Sequence, residues 1–122
     1  MIPPPGPFLS ACSFWARSNA LPLRFDEPRV VEALEEAEAL AERPADEPAA
    51  ILFAFSKRPN ALPEGWTFVE RCALNLARVN LRAEIALETP DALDFLRLRV
   101  LANQASFDDV RAFIAARLRP IR

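Results

Sequence analysis

The sequence contains no histidine among its 122 residues. Histidine is the side chain best suited to proton transfer near neutral pH, and it is the commonest metal ligand. Its absence excludes histidine acid–base catalysis, Ser–His and Cys–His nucleophilic mechanisms, and any histidine-ligated metal site. Only two glycines are present, Gly6 and Gly65, so glycine-rich phosphate-binding loops such as the P-loop are excluded as well.

Cysteine and lysine are also scarce. The two cysteines, Cys12 and Cys72, stand far apart and form no C-x-x-C pair, so a zinc site lacks ligands. We predict two free thiols in a reducing cytoplasm, with a disulfide as the alternative. Lys57 is the single lysine, so 15 − 1 = 14 of the basic residues are arginine. We do not interpret this bias as a sign of nucleic-acid binding.

Long hydrophobic runs are missing too. The longest uninterrupted apolar stretch, residues 49–55, is far shorter than the roughly 20 residues that a helix needs to span a bilayer. The N-terminus is rich in proline and lacks the basic region and the continuous apolar region of a signal peptide. These features predict a cytoplasmic protein without a membrane partner.

The composition is typical of one folded domain, with 52% hydrophobic and 26% charged residues. Residues 1–25 contain many prolines and aromatic residues without a clean period. We predict that they form an irregular arm, which is an extended segment or a short helix lying over the core or against another protein. Residues 26–122 are predicted to form the helical domain.

Helix start signals recur through residues 26–122. At each start, a side chain that accepts the free backbone N–H groups is followed by proline or by acids in the first turn. The starts are Asp26 with Pro28, Asp46 with Pro48, Thr89 with Pro90, and Ser106 with Asp108 and Asp109. A further helix is predicted from about residue 64 to about residue 82, and a short extended segment at 83–88. Together these signals predict an all-α fold, a compact bundle of about five helices.

The apolar residues of these helices predict which faces are buried. Residues 49–55 are apolar all round, which is typical of a helix buried on most of its sides, although a buried strand is the alternative. In the last two helices the spacing of three and four residues predicts buried stripes. The stripes are Leu93, Leu96, Val100 and Leu101, and then Val110, Phe113, Ile114 and Leu118, with Pro120 ending the helix.

Charge is unevenly distributed, although the net charge is only −2. Residues 26–47 carry nine acids and two arginines, 2 − 9 = −7, whereas residues 95–122 carry six arginines and two aspartates, 6 − 2 = +4. Two solvated helix faces that attract each other across the fold would produce this pattern. A basic C-terminal surface for an acidic partner or a nucleotide is the alternative.

The segment 57–66 is the candidate site, because a buried helix ends there in Lys57 and Arg58 and a short loop leads to the next helix N-terminus. Helix N-termini bind anions through free N–H groups, although an ordinary helix–helix connection is the alternative. Arg58 and Arg71 are the phosphate-binding candidates. The partner-binding candidates are Phe8, Phe14, Trp15 and Trp66, for which core packing is the alternative. We predict no catalytic residue, no metal-binding residue and no cofactor.

Four stretches of the chain resemble the Fic/Doc family, especially the short death-on-curing toxins of toxin–antitoxin pairs. They are residues 26–34 (DEPRVVEAL), 51–59 (ILFAFSKRP), 70–75 (ERCALN) and 100–110 (VLANQASFDDV). The resemblance implies a helical scaffold whose relatives transfer a phosphate or a nucleotide moiety from a nucleoside triphosphate to a protein hydroxyl. The family's catalytic histidine falls at Arg58, whose guanidinium stays protonated and cannot act as a base. The resemblance therefore implies a degenerate member that kept the scaffold and lost the catalysis.

Three functions follow as hypotheses. The leading one is a catalytically inactive Fic/Doc-like helical protein that acts through a protein partner or as a homo-oligomer, as a component of a toxin–antitoxin pair. The second is a nucleotide-dependent transferase that uses ATP and magnesium at a site rearranged around Arg58, Glu64, Glu70 and Arg71. The third is a small inhibitor protein of a phage or another mobile element.

Overall fold

Residues 1–22 and 24–121 are described by a computed structural model, in which helices predominate. In chain order the elements are α1 Pro5–Ser18, α2 Glu27–Leu40, a 3-10 turn Pro44–Asp46, α3 Glu47–Ser56, α4 Trp66–Leu81, β1 Ala83–Ile85, α5 Ala92–Leu101, α6 Phe107–Ala115 and β2 Leu118–Pro120. The predicted all-α class is confirmed, with one short strand pair added. Leu23 and Arg122, which the sequence analysis counts in the arm and in the C-terminal charge, lie outside the described residues.

The central element is α3, which is apolar all round and must be covered on every side. Nine of its ten residues are buried, and Phe53 is the partly exposed one. Helices α2, α4, α5 and α6 all pack against it. The predicted start position holds, because Pro48 occupies the first turn, where the missing N–H costs no hydrogen bond. The predicted capping by Asp46 is wrong, since its carboxylate accepts from the Arg43 side chain and not from the backbone of α3. The alternative of a buried strand at this position is wrong.

The N-terminal segment contains a regular helix of 14 residues, so of the two predicted forms of the arm the helix over the core is found and the extended segment is not. Pro5 and Pro7 lie in its first turn, where proline is tolerated. Its buried stripe is narrow and consists of Phe8, Cys12 and Ala16, one residue on each successive turn. Phe8 belongs to the same hydrophobic core as the residues of α3 and α4. Helix α1 therefore shares one hydrophobic core with α3 and α4.

Local start signals are confirmed at two further helices. The Asp26 carboxylate accepts a hydrogen bond from the Arg29 backbone N–H at 3.3 Å. Ser106 and Asp109 form a reciprocal capping box at the start of α6. By contrast, α5 begins at Ala92, two residues beyond the predicted proline start, after a turn.

The C-terminal segment differs from the prediction, because α6 ends at Ala115 and not at Pro120. The chain instead forms β2, which pairs antiparallel with β1 in the register Ala83↔Pro120 and Ile85↔Leu118. The extended segment predicted after α4 is confirmed at β1. Arg82, in the left-handed conformation with φ 48°, ends α4 and turns the chain into β1. Pairing with β1 is the reason that the last turn of the predicted helix does not form.

The predicted buried stripe of α5 is correct at Leu93, Leu96 and Val100 but wrong at Leu101, which is 48% exposed. Leu101 lies on the outer side of the helix together with Phe95 and Leu98. In the last predicted stripe, Val110 and Ile114 are buried, whereas Phe113 and Leu118 are only partly buried. Within the described residues, no helix is both long enough and apolar enough to cross a membrane.

We expect Phe8→Ala to lower the free energy of unfolding by about 3–5 kcal/mol, because it removes a fully buried ring and leaves a cavity. The Phe8 ring stacks on Phe55 at 5.3 Å and meets Phe68 edge-on at 5.2 Å. Urea denaturation followed by circular dichroism measures the change. The matched control is Phe14→Ala on the same helix, whose ring is 68% exposed. An equal loss in both variants would contradict the inward position of Phe8.

Candidate functional site

Arg58, the first phosphate-binding candidate, is engaged in an ion-pair cluster between α2 and α3. Its guanidinium donates to the Glu36 carboxylate and to the Ala54 carbonyl, the latter at 2.9 Å. Glu32 lies 3.8 Å away, and the Lys57 ammonium donates to the other Glu36 oxygen at 2.6 Å. The charge of Arg58 is therefore neutralised within the fold, and the side chain holds α3 against α2. It leaves no unpaired charge for a phosphate.

The ion-pair cluster lowers the pKa of the Glu36 carboxyl group. Desolvation by burial raises its pKa, but hydrogen bonds and charges from Lys57 and Arg58 outweigh that effect, so its pKa lies below the ordinary glutamate value. A lowered pKa means that the fold stabilises the charged carboxylate. The Glu36 carboxylate is thus the shared ion-pair partner of Lys57 and Arg58.

The predicted attraction between the acidic segment 26–47 and the basic segment 95–122 does not occur within the described part of the chain. Glu32 and Glu36 of α2 pair with the basic end of α3 instead. Arg97 pairs with Asp94 and Arg111 pairs with Asp108 within the same helix, and Arg117 pairs with Glu88, which lies 29 residues earlier in the chain. The prediction failed because charge totals do not tell which segments are neighbours.

Trp66 lies at the start of α4, beside a cavity of about 190 Å³ that α5 and the α3–α4 loop complete. The Arg97 guanidinium stacks over its ring at 4.8 Å from the centroid. The buried indole N–H makes no hydrogen bond of ordinary geometry. Burial and the nearby Asp94 charge raise the pKa of Glu70, and Trp66 and Arg97 offset part of that rise. Trp66 is therefore partly covered and separate from the other partner-binding candidates.

The largest of the clefts described lies between α1 and α4 and has a volume of about 680 Å³. We call it the α1–α4 groove. Phe14 and Trp15 line it from α1, and Arg71, Asn75 and Arg78 line it from α4. Its remaining lining residues include Ala11, Ser18, Asn19, Phe68, Cys72 and Leu74. An aromatic wall thus faces a basic and polar one.

The basic wall carries uncompensated charge. Arg71 and Arg78 are seven residues apart, two helical turns, and therefore lie on the same side of α4. Both are exposed, and within residues 1–22 and 24–121 no carboxylate lies within ion-pair distance of either. Arg82 follows one turn later and is likewise exposed. Arg71 and Arg78 thus bring two positive charges to the groove, and Glu84 lines the adjacent cleft beside Arg78.

The aromatic wall consists of one exposed ring and one packed ring. Phe14 is 68% exposed and points away from the core. Trp15 is partly buried, and its ring lies 5.8 Å from that of Phe68. Its indole N–H is buried without a hydrogen-bond partner in the described structure. A single exposed ring is common on protein surfaces, so Phe14 is a candidate because it shares the groove with arginines, and aromatic residues and arginine are both enriched at interfaces.

The two cysteines are free thiols, as predicted, and no disulfide joins them. Burial raises the pKa of the Cys12 thiol to about 11. Burial, with a smaller contribution from Cys12, raises the pKa of the Cys72 thiol to about 12. Because the thiolate is the nucleophile, Cys72 is unreactive near neutral pH even though it lines the groove.

The four residues proposed for a rearranged transferase site do not come together. Arg58 is paired with Glu36, and Glu64 accepts a hydrogen bond from Arg24 at 3.1 Å. Glu70 adjoins Trp66 and Arg97, whereas Arg71 lines the α1–α4 groove. In the described ranges, no group of three acids or cysteines is placed to hold a metal ion.

Of the four partner-binding candidates, only Phe14 and Trp15 share one surface, the α1–α4 groove. Phe8 is 1% exposed and packs in the core, so it is not available to a partner. Trp66 lines a different cavity. Arg71 does line the groove, as does Arg78, which sequence reasoning missed as a site residue. Comparison with protein-family models, curated proteins and solved structures finds no match to the chain.

We expect Glu36→Gln to lower the free energy of unfolding by about 1–3 kcal/mol at pH 7, because hydrogen bonds to a charged group are lost. The pKa of Glu36 is lowered in the folded state. The stabilisation is therefore present above its ordinary pKa of about 4.3 and is lost as the pH falls through the folded-state value. Urea denaturation across pH 2–7 measures the difference between variant and wild type.

The control for this experiment is Glu38→Gln on the same helix. Glu38 is exposed, and it forms no ion pair with another described residue. Its substitution should change stability by less than about 0.5 kcal/mol at every pH. A Glu36→Gln effect that does not shrink in acid would show that the charge of Glu36 is not its source.

Proposed function

We propose that this chain is a non-catalytic protein-binding domain whose α1–α4 groove takes an acidic amphipathic helix of a partner protein. The observation that carries the proposal is the exposed Phe14 ring facing Arg71 and Arg78, for which the described residues supply no carboxylate. These side chains contribute little to the stability of the fold. They have the composition of a binding surface, since aromatic residues and arginine are enriched at interface hot spots.

The shape and charge of the groove favour a helical, acidic occupant. A cleft between two helices with an apolar wall accepts the apolar face of a third helix. Arg71 and Arg78 are seven residues apart on α4, about 10 Å at 1.5 Å per residue, and Arg82 follows at the end of the helix. Carboxylates at three- and four-residue spacing on the incoming helix would lie along this row. Acidic residues on the partner would also raise the rate of association with the basic groove, whereas basic partners would be repelled.

The proposal is compatible with a Fic/Doc-like scaffold without catalysis. Arg58, which stands at the position of the family's histidine in the resemblance, serves an ion-pair cluster that supports the fold. A transferase would need a base and a phosphate site near one another, and the geometry does not favour it. A toxin–antitoxin component and a mobile-element inhibitor would both act through such a groove, and they differ only in the partner.

The test uses Trp15 as an internal reporter of the groove. In a Trp66→Phe variant, Trp15 is the only indole, because the chain has two tryptophans. We expect an acidic amphipathic peptide of about four helical turns to shift Trp15 emission to shorter wavelength and to reduce its quenching by acrylamide. Binding should weaken as salt is added, because the rim contacts are ionic. A basic peptide with the same apolar face should not bind.

Substitutions then locate the binding. We expect Phe14→Ala to weaken the peptide complex about tenfold, equivalent to about 1.4 kcal/mol. The double variant Arg71→Glu with Arg78→Glu should weaken it at least as much, by repulsion. Its control is Arg99→Glu with Arg119→Glu, the same charge change at residues that lie outside the groove and form no ion pair with another described residue. Equal losses in both double variants would contradict the assignment, and tighter binding of a single-stranded oligonucleotide than of the peptide would overturn a protein partner.

A further inference from the structure

Helix α5 carries a row of exposed side chains in the order acid, aromatic ring and base. Asp91, Phe95 and Arg99 follow one another at four-residue steps, so they form one ridge on the helix surface. All three are exposed, and the Phe95 ring is 64% exposed. We call this row the α5 ridge. The buried residues of α5 lie on the opposite side of the helix, and they are Leu93, Leu96 and Val100.

The two charges at the ends of the α5 ridge form no ion pair within the described part of the chain. Asp91 occupies the N-cap position, but its carboxylate accepts no backbone hydrogen bond of α5. The Arg99 guanidinium contacts a neutral acceptor, the Gln104 carbonyl, at 3.4 Å. Its charge also acts on Asp109, but that carboxylate lies beyond ion-pair distance and accepts from Ser106. Both end charges are therefore available to another molecule.

The other charges on the exposed side of α5 neutralise each other. Asp94 and Arg97 lie 3.4 Å apart, one turn from each other on the helix. A second ridge at four-residue steps, consisting of Asp94, Leu98 and Ala102, runs beside the first. Leu98 borders the cavity beside Trp66 and remains 53% exposed. The furrow between the two ridges is therefore apolar at its centre.

The α5 ridge is complementary to itself when a second copy runs in the opposite direction. Asp91 and Arg99 are each four residues from Phe95, which places each of them about 6 Å from it along the helix axis at 1.5 Å per residue. A two-fold axis at Phe95 brings Asp91 of one copy beside Arg99 of the other, and the same pair forms again on the other side. Ridges of four-residue steps interdigitate in the commonest class of helix packing.

We propose that two copies of this chain form a two-fold symmetric dimer in which their α5 helices pack antiparallel. The Phe95 rings occupy the apolar furrows at the centre, and an ion pair of Asp91 with Arg99 closes the contact at each end. The helix dipole alone accounts for an acid at the start of a helix and a base in its last turn. It gives no reason for an exposed phenyl ring midway between the two charges.

This interface goes beyond the function proposed for the α1–α4 groove and does not depend on it. Helix α5 supplies none of the described lining residues of the groove, so the dimer leaves both grooves open. Two open grooves on one dimer would bind a partner with two acidic helices more tightly than one groove does. A contact through one helix of each copy is small, so the dimer is expected to be weak and to depend on concentration.

The decisive experiment reverses one charge of the α5 ridge at a time. By sedimentation equilibrium, we expect wild type to approach twice the monomer mass of 13.6 kDa as its concentration rises. The variants Asp91→Arg and Arg99→Asp should each remain monomeric, because each brings like charges together at both ends of the contact. An equimolar mixture of the two should form a heterodimer with an affinity within about threefold of wild type, because opposite charges then meet at both ends.

Substitution of the ring tests the centre of the contact. We expect Phe95→Ala to weaken the dimer about tenfold. Its control is Val79→Ala on α4, which shortens another exposed apolar side chain and should leave the dimer unchanged. The control for the charge reversals is Glu38→Arg on α2, an exposed position away from α5. Circular dichroism shows whether each variant folds, and Asp91→Asn or Arg99→Gln replaces a reversal that does not.

Three results would overturn the inference. They are a wild type that stays monomeric at millimolar concentration, self-association that persists in both charge-reversed variants, and a mixture of those variants that stays monomeric. Failure of the dimer is distinguishable from failure of the proposed function, because the acidic peptide reports on the groove through Trp15 emission. We expect both charge-reversed variants to bind that peptide as wild type does.

Discussion

The burial of α3 is the constraint on which the rest of the structure depends. A helix that is apolar all round is stable in water only if other elements cover each of its sides. Its polar groups must then be satisfied inside the fold. Ser56 donates to the Leu52 carbonyl at 2.6 Å, and the buried Asp46 accepts from Arg43 at 3.2 Å. At the start of α3, Asn80 of α4 donates a hydrogen bond to the buried Glu47 at 2.9 Å. The neighbours of α3 are therefore fixed by both apolar and polar contacts.

The α1–α4 groove exists because α1 packs on the core through one narrow stripe of its surface. Only the stripe of Phe8, Cys12 and Ala16 reaches the core, so the other sides of α1 remain outside. Phe8 fixes the helix by inserting its ring between those of Phe55 and Phe68. This contact leaves Phe14 on the outer side, facing the arginines of α4. The α1–α4 groove thus lies beside a helix that is anchored by one large residue and buries little else.

Features set by neighbouring residues in the sequence could be predicted, and features set by distant ones could not. Caps and prolines placed the starts of α2, α3 and α6 correctly, because these signals act within one helical turn. The α1 helix could be predicted only as one of two alternatives for the N-terminal arm, because its stripe includes a cysteine and an alanine, which give little periodic contrast. Strand β2 was missed because its pairing with β1 joins residues more than 30 positions apart. For the groove, Phe14, Trp15 and Arg71 could be named individually, but their meeting depends on the packing of α1 against α4.

The absence of histidine bounds what the ionic groups of this fold can do. Arginine remains charged at any physiological pH, so Arg58 contributes a fixed charge and not a proton. The charge of Arg58 forms an ion pair with Glu36 inside the fold. Arg71 and Arg78 have no such partner among the described residues. Unpaired guanidinium groups and an exposed phenyl ring add little to folding stability, because both are already solvated. They would gain free energy only where another surface removed them from water, and this gain is the energetic basis of the proposed binding function.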